Sequence, residues 1–533
     1  MNIEETKRFI EAGHLSVGIE FGSTRIKTVA IDDDFNTIAT GSFEWENSFD
    51  NGYWTYSMND AWVGLQKSYG EMTRYVKDKY DTTVNQIASL GISGMMHGYL
   101  VFDEHDDLLV PFRTWRNNNA NEAATVLRED FNVNIPERWS IAQLFQSAME
   151  TEPHVERVRY MTTLAGYIHW YLTDEKVIGI GDASGMFPID SQRLDYRQDL
   201  MDRFNKLFAQ RGYNQKIGDI LPRVVVAGES AGRLTETGAK LIDPNGELQA
   251  GCPLCAPEGD AATGMVATNS VAPRTGNVSA GTSIFSMIVL EQPIQRVYPE
   301  VDIVTTPDGY EVAMIHANNC TSDINLWINL FEEVLQTMGV NYDKNELFTK
   351  VFESALNGED NLGNLLSYGY ISGEFITDVP QGYPMLVRSV DSNFNLANLM
   401  KTHIYSAFST LKIGVDLLKE NENITIDSML GHGGIFKTEK VAQMFLAAAL
   451  ETNVRVMQTA SEGGAWGIAV LAQYLKDQRN SDLATYLSNY AFKNTTSVAI
   501  EPTAAEVESF RMYTERFKQG IPLEKLAAKK FGM

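Results

Sequence analysis

The chain of 533 residues has only three cysteines, Cys252, Cys255 and Cys320. So few argue against a disulfide framework and for a reducing compartment. Cys252-Pro-Leu-Cys255 has the spacing of half a zinc site, but no second pair follows, so both read as small buried apolar residues. No stretch approaches ~18 uninterrupted apolar residues, and no membrane span is expected. The opening Met1-Asn2-Ile3-Glu4-Glu5-Thr6-Lys7 is acidic and lacks an apolar core, which argues against a signal peptide and for a cytoplasmic location. Positive charge is scarce: 44 Lys and Arg face 69 Asp and Glu, a formal net charge of −25. Such a surface repels phosphate backbones, which excludes nucleic acid as a main partner. It repels a free nucleotide too, so a nucleotide site here needs local backbone dipoles and a metal. Neither GxxxxGK[ST] nor a placed GxGxxG occurs, which disfavours Walker-type and Rossmann sites.

What is present is ordinary for a globular protein, at 44% hydrophobic, 21% charged and 10% aromatic residues. The length suits two large domains. Residues 1–14 read as a charged helix or arm. Leu15–Phe21 and Arg25–Ile31 alternate around Gly22-Ser23-Thr24 as a hairpin, and a third strand follows the polar turn Asp32–Asn36. Trp62, Leu65, Tyr69, Met72 and Val76 then recur at helical spacing behind Ser57 or Asn59 as N-cap, and Gln86–Ile92 reads as a strand. A similar passage recurs late. Met400, Ile404, Phe408, Leu411, Val415 and Leu418 form a helical stripe, Thr425–Leu430 a strand, Gly431–Gly434 a turn and Thr438–Glu451 a helix. Strands alternating with helices indicate an α/β protein in two halves, joined near residues 270–277 with no low-complexity linker and therefore packed together. The expected division is an arm at 1–14, a first domain at 15–270, a second at 271–480 and a polar helical closing segment at 481–533.

Four glycine-rich turns follow strands or open helices. They are Glu20-Phe21-Gly22-Ser23-Thr24, Ser279-Ala280-Gly281-Thr282-Ser283, Gly431-His432-Gly433-Gly434 and Ser461-Glu462-Gly463-Gly464. Turns of this kind present backbone N–H groups to phosphate, although each alone is also what a tight turn or close packing needs. Taken with Met95-Met96-His97-Gly98, Glu258-Gly259-Asp260-Ala261-Ala262-Thr263-Gly264 and Tyr370-Ile371-Ser372-Gly373-Glu374, they follow the motif order of a known family. From about Leu15 to about Lys476 the chain resembles the FGGY carbohydrate kinases.

The resemblance implies a two-lobed actin/hexokinase-like ATPase fold, with ribonuclease H-like domains and an interdomain cleft. It implies ATP and Mg²⁺ as cofactors and a small sugar, most simply a ketopentose such as D-xylulose, as substrate. Asp260 stands where the family has its catalytic base, and also where an aspartate could cap a helix starting at Ala261. Met96, His97, Trp115 and Asp260 are the expected sugar contacts. Gly22, Ser23, Thr24, Gly281, Thr282, Ser283, Gly433, Gly434, Gly463 and Gly464 are the expected ATP contacts, and Glu20 and Asp260 the metal-side carboxylates. A homodimer is compatible with this reading. Four positions depart from the family pattern: Glu20 replaces aspartate, Met95 replaces glutamine, and Asn117 and Asn119 stand for aspartate and arginine. L-ribulose and other ketoses or polyols therefore stay open as substrates. An actin- or Hsp70-like ATPase with no sugar substrate is the alternative from a different class.

Overall fold

The computed structural model describes residues 1–457 and 463–532. They form two compact units, the first of 1–271, 303–312 and 461–494, the second of 272–302, 313–460 and 495–533.

The first unit starts with a helix, α1 (Ile3–Glu11), whose capping box joins Asn2 and Glu5 and whose Ile10 is buried. Strands β1 (Ser16–Phe21), β2 (Arg25–Ile31) and β3 (Thr37–Glu44) follow as a meander. Helix α2 (Met58–Tyr80), N-capped by Ser57, packs its Leu65, Tyr69, Met72 and Val76 stripe on β2 and β3. Strand β4 (Ser89–Gly94) then lies parallel to β1, Ser16 opposite Ser89 and Glu20 opposite Ser93. It begins three residues later than the apolar run suggests, because pairing with β1 rather than hydrophobicity sets its start. A two-residue strand, β5 (Glu258–Gly259), joins the far side of β4 and leads directly into helix α3 (Asp260–Ala267). The sheet order is β5-β4-β1-β2-β3.

The second unit repeats the plan. Strands β6 (Thr275–Ala280), β7 (Ile284–Val289), β8 (Val301–Thr305) and β9 (Glu311–Ala317), of which residues 303–305 and 311–312 are grouped with the first unit, precede helices α4 (Thr321–Thr337) and α5 (Leu396–Glu422). Strand β10 (Ser428–His432), helix α6 (Val441–Leu450) and strand β11 (Asn453–Met457) follow. With β12 (Ser497–Ile500) the sheet runs β8-β9-β7-β6-β10-β11-β12. β10 extends past the expected Leu430 to His432 because its parallel ladder with β6 continues as far as Ser279.

The chain's late helices divide between the units. Helix α7 (Gly464–Lys476) lies on β1 and β4 of the first unit, and α8 (Ala504–Phe531) packs on α5 and α6 of the second. A Cβ at Gly18 on β1 would sit 2.1 Å from the Ala465 carbonyl oxygen, so only glycine there lets α7 approach so closely. Spatially, residues 463–494 therefore fall with the first unit, whereas the linear division of the sequence puts them in the second domain and the closing segment.

Candidate functional site

β1 ends in Glu20 and Phe21, and the parallel ladder sets Glu20 beside Ser93 at the end of β4. Past the ladder, the Met95 N–H donates to the Phe21 carbonyl at 3.0 Å, which carries the Met95–Gly98 segment across the end of β1. The next amide, Met96 N–H, donates to Asp260 Oδ1 at 3.1 Å, and Ala261 N–H donates to the same oxygen at 2.9 Å. Asp260 is the first residue of α3 and Gly259 its N-cap, so the helix starts one residue before the expected Ala261 and Asp260 is not the capping residue. Asp260 Oδ2 receives no hydrogen bond from any described residue. Burial raises the Asp260 pKa above its ordinary value, against the lowering effect of these N–H donors.

Glu20 faces the start of α7. Its Oε2 accepts the Ala465 N–H at 3.1 Å, and a Cβ at Gly464 would lie 2.2 Å from its Oε1. Burial, and next the Asp260 charge, push the Glu20 pKa up to about 7, opposed by the Ala465 N–H and by Lys27. Thr263, one turn into α3, shares a 3.0 Å hydrogen bond with Ser93 and closes the contact between β4, α3 and α7. Among the described residues no group of three or more His, Cys, Asp or Glu side chains could hold a metal. Two mutually repelling half-buried carboxylates still fit a magnesium ion, which commonly binds one or two carboxylates and keeps its other positions for water and phosphate.

Met96 and His97 are both buried. The His97 Nδ1 lies 3.2 Å from the Gly185 carbonyl oxygen, and an oxygen acceptor there requires the proton on Nδ1. Nε2 is then an acceptor. Burial, and secondarily Arg138, lower the His97 pKa to about 3, so the ring stays neutral. It stacks on Trp139 at 6.4 Å, and Trp139 Nε1 is buried with no hydrogen-bond partner among the described residues.

A second orphan lies nearby. Asp182 accepts from Thr163 Oγ1 at 2.6 Å through Oδ2, while its Oδ1 is buried and unpartnered among the described residues. That oxygen is 3.2 Å from where a Cβ of Gly259 would be, next to Met96. Burial, with the Asp260 charge as a lesser cause, raises the Asp182 pKa to about 8. Glu258 accepts the Gly181 and Asp182 N–H groups at 3.3 and 2.9 Å and so ties that turn to the strand that precedes Asp260.

Trp115 is not brought into hydrogen-bond or ring contact with these groups among the described residues, and it is 40% exposed. Its loop is nonetheless held near them, since Arg113 and Tyr99 pair through their backbones. Asn117 is committed elsewhere: it accepts the Trp54 N–H at 2.8 Å and donates to the carbonyls of Trp54 and Thr114. Only an amide can make both kinds of bond, which explains asparagine in place of aspartate. The Asn119 carbonyl oxygen accepts a hydrogen bond from Gln143 at 3.4 Å.

The two hairpin tips have a common construction. At the first, Trp45 Nε1 donates to Gly22 O at 2.7 Å and Tyr56 OH to Ser23 O at 2.6 Å. At the second, Thr321 N–H and hydroxyl donate to Gly281 O, and Cys320 N–H to Thr282 O. The tip carbonyls are taken, whereas the N–H groups of Ser23, Thr24, Thr282 and Ser283 donate to no described residue. Free amides beside satisfied carbonyls make an anion-binding turn. In the second unit Gly433, at φ +111°, lies against this hairpin, since a Cβ there would meet Ala280 O at 2.2 Å. Gly281 and Gly434 face open space among the described residues. Gly463 and Gly464, by contrast, lie in the first unit at the start of α7 with Glu20, and Ser461 and Glu462 of the same turn fall outside the described residues.

Tyr370–Glu374, the remaining motif, braces the base of α4. The buried Glu374 accepts from Asn318 N–H and Asn319 Nδ2 at 2.9 and 3.1 Å, and Ser372 N–H donates to Asn319 Oδ1. Sequence reasoning missed Asp182 and Trp139. The polar Gly181-Asp182-Ala183-Ser184-Gly185 run inside the apolar stretch Val177–Phe187 could have flagged Asp182. Nothing in the local sequence flags Trp139.

The N-terminal domain model of the FGGY family of carbohydrate kinases matches residues 15–267, and the C-terminal domain model matches residues 276–475. The xylulose kinase of Haemophilus influenzae is 20% identical over 513 residues, covering 94% of this chain and 98% of its own. The crystal structure of xylulose kinase from Rhodospirillum rubrum superposes with a TM-score of 0.78 at 14% identity, covering 98% of this chain and 100% of its own. Plasmodium falciparum glycerol kinase with ADP gives 0.75 at 14% identity, over 96% and 98%. At such identities these likenesses show the fold, the actin/hexokinase-like two-domain ATPase fold.

Proposed function

Because the chain belongs to the FGGY family of carbohydrate kinases, we propose that it transfers the γ-phosphoryl group of ATP to a hydroxyl of a ketopentose, D-xylulose in the first place, with Asp260 as general base. The observation that carries this is the Met96 N–H to Asp260 hydrogen bond, which joins the candidate base to the candidate sugar segment.

The chemistry follows from what these residues can do. Asp260 Oδ1 is fixed by two backbone donors, so Oδ2 is the oxygen that takes the proton of the attacking hydroxyl. Burial makes it a stronger base than a solvated aspartate. His97 Nε2 accepts from one sugar hydroxyl, and the orphaned Trp139 Nε1 and Asp182 Oδ1 are suited to satisfy others. Met96 packs on carbon, and Trp115 supplies an exposed apolar wall on the adjoining loop. The free amides of Ser23, Thr24, Thr282 and Ser283 are suited to bind phosphate oxygens, while the Gly22 and Gly281 N–H groups close their own hairpins on Arg25 O and Ser283 O. Gly433, Gly434, Gly463 and Gly464 are suited to let the nucleotide approach the backbone. Glu20 and Asp260 would hold Mg²⁺, largely through water, and the ion would supply charge neutralisation on the β- and γ-phosphates.

The acidic surface and reducing-type cysteine usage support a cytoplasmic location, and no helix among the described residues is long and apolar enough to cross a membrane. ADP release measured with D-xylulose, L-ribulose, other ketoses, polyols and no sugar tests the reading. Sugar-dependent release, greatest with a ketopentose, is expected. Equal release without sugar would assign the chain to the ATPase class instead.

A further inference from the structure

Two buried side chains grip the turn that carries Asp182. Glu258 is 1% exposed, and each of its carboxyl oxygens accepts one backbone amide, Gly181 N–H at 3.3 Å and Asp182 N–H at 2.9 Å. Neither donor is a cation, and the charge acting on it is that of another carboxyl, Asp182. Taking such a group out of water is costly, and an apolar side chain of similar volume would avoid the cost. The surroundings are nevertheless cut to admit it. A Cβ at Gly179 would lie 2.4 Å from Glu258 Cδ, and one at Gly181 2.5 Å from its Oε2.

Thr305, in the 303–312 stretch of the first unit and 3% exposed, holds the same turn at both flanks. Its hydroxyl donates to Ile180 O at 2.9 Å and its N–H to Ser184 Oγ at 3.0 Å, while Ser184 Oγ donates on to Gly181 O at 2.6 Å. The helix inside the turn, Ile180–Ala183, is a single turn long, too short to be stable by itself, so these outside bonds set its shape. All of them fall on backbone or on Ser184. They leave Asp182 Oδ1, buried and unpartnered among the described residues, 3.2 Å from the place of a Gly259 Cβ, which itself would lie 3.0 Å from Met96 Cγ. At the end of the turn, a Cβ at Gly185 would meet His97 Nδ1 at 2.5 Å and Met96 Cε at 2.8 Å. The turn thus lies against the sugar segment at Asp182 and again at Gly185.

We propose that Glu258 and Thr305 are positioning residues for the sugar, fixing the Gly181–Gly185 turn so that Asp182 Oδ1 meets one hydroxyl of the bound ketose. The inference rests on the sugar-kinase reading of the site. Neither residue is placed on the sugar itself; each acts through Asp182. Glu258 has a second consequence, because the chain reaches Asp260 two residues later. The same side chain therefore sets the spacing between Asp182 and the candidate base, and with it which hydroxyl of the ketose comes to the base when another is held by Asp182.

Calorimetric binding of D-xylulose and L-ribulose to the full chain without nucleotide, alongside steady-state kinetics and thermal melts, tests this. Glutamine at 258 has one acceptor oxygen for two amides, and valine at 305 has the shape of threonine without its hydroxyl. Ile180 O keeps the Ser184 N–H at 3.1 Å in Thr305→Val, so the fold should hold. Each of Glu258→Gln and Thr305→Val should raise the sugar Kd and KM about 10-fold, the worth of one neutral hydrogen bond, with the nucleotide KM unchanged. Thr305→Ser, which keeps the hydroxyl, should recover most of the loss. In an Asp182→Ala background, where the positioned group is gone, the further effect of Thr305→Val should fall below about twofold. Unchanged sugar binding in both Glu258→Gln and Thr305→Val overturns the proposal. So does the same penalty persisting without the Asp182 carboxyl, the mark of a merely structural role. A wild type that binds neither sugar overturns it together with the reading it rests on, whereas one that binds sugar but releases no ADP sinks the kinase reading alone.

Discussion

Glu20→Gln separates what the first unit needs for stability from what the reaction needs. Glu20 keeps its acceptor role toward the Ala465 N–H in either form, and only the charge is lost. Burial and the Asp260 charge carry its pKa from 4.5 to about 7. At 1.36 kcal/mol per unit, a shift of that size is worth about 3 kcal/mol. The sign is that of a carboxyl whose folded pKa is raised. Below pH 4.5 the group is protonated in the folded and the unfolded chain, and its contribution is intact. As the pH rises toward and through 7 the unfolded chain ionises first, and the folded state loses up to that amount. Glutamine suffers no such loss. Metal-free Glu20→Gln protein should therefore melt together with wild type near pH 4.5 and several degrees above it at pH 8. Magnesium should narrow the gap at pH 8 by stabilising wild type. In the kinase assay the variant should need more magnesium and turn over more slowly, with the sugar KM nearly unchanged, while Glu20→Asp should be tolerated. The assays are thermal melts across pH and a magnesium titration of the rate. Superimposable melting profiles and titrations for Glu20→Gln and wild type would refute the reasoning.

Two further outcomes follow from the packing and the sugar segment. Gly18→Ala places a methyl group 2.1 Å from Ala465 O and 2.6 Å from Ala469 N, backbone atoms that yield only if α7 retreats. It should cost about 1–3 kcal/mol in thermal or urea unfolding and lower kcat by displacing Ala465 from Glu20, and an unchanged melt would contradict this close approach. His97→Ala should raise the sugar KM about 10-fold, the worth of one neutral hydrogen bond, with the nucleotide KM unaffected. Since burial keeps His97 neutral, the wild-type sugar KM should be flat from pH 5.5 to 7 at saturating magnesium, below the range near 8 where Asp182 ionises. A break near 6.5 that disappears in His97→Ala would show that the ring titrates.

The periodicity that made α2 readable is that of a helix laying one face on a sheet, as Trp62 to Val76 do, whereas α5 is buried on every side from Asn398 to Lys412 and packs largely on helices such as α6 and α8. Strand ends were less legible because partners set them: β4 takes its start from β1, and β10 its end from β6. The spatial home of α7 could not be read at all. Gly18 shows no local sign that a helix some 450 residues later presses on it, although Gly463-Gly464 marks that helix's start. In the candidate site, glycine-rich motifs pointed to the loops because such turns need glycine for backbone reasons. Asp182 and Trp139 escaped notice because their significance lies in missing hydrogen-bond partners, a property of three-dimensional surroundings. Asn117 looked like a pocket position and is instead a backbone clamp.

The role proposed for Asp260 is to take the proton of a sugar hydroxyl during phosphoryl transfer. Single-turnover measurement of sugar phosphate formation by wild type and Asp260→Asn, with D-xylulose and ATP–magnesium saturating and nucleotide binding measured alongside, tests it most directly. Asparagine keeps an oxygen for the Met96 and Ala261 N–H groups, so the fold and ATP affinity should be retained. The rate of the chemical step should fall by roughly 10²–10⁴, the usual worth of a positioned general base. A folded, ATP-binding Asp260→Asn protein that forms sugar phosphate at near the wild-type rate would contradict the account.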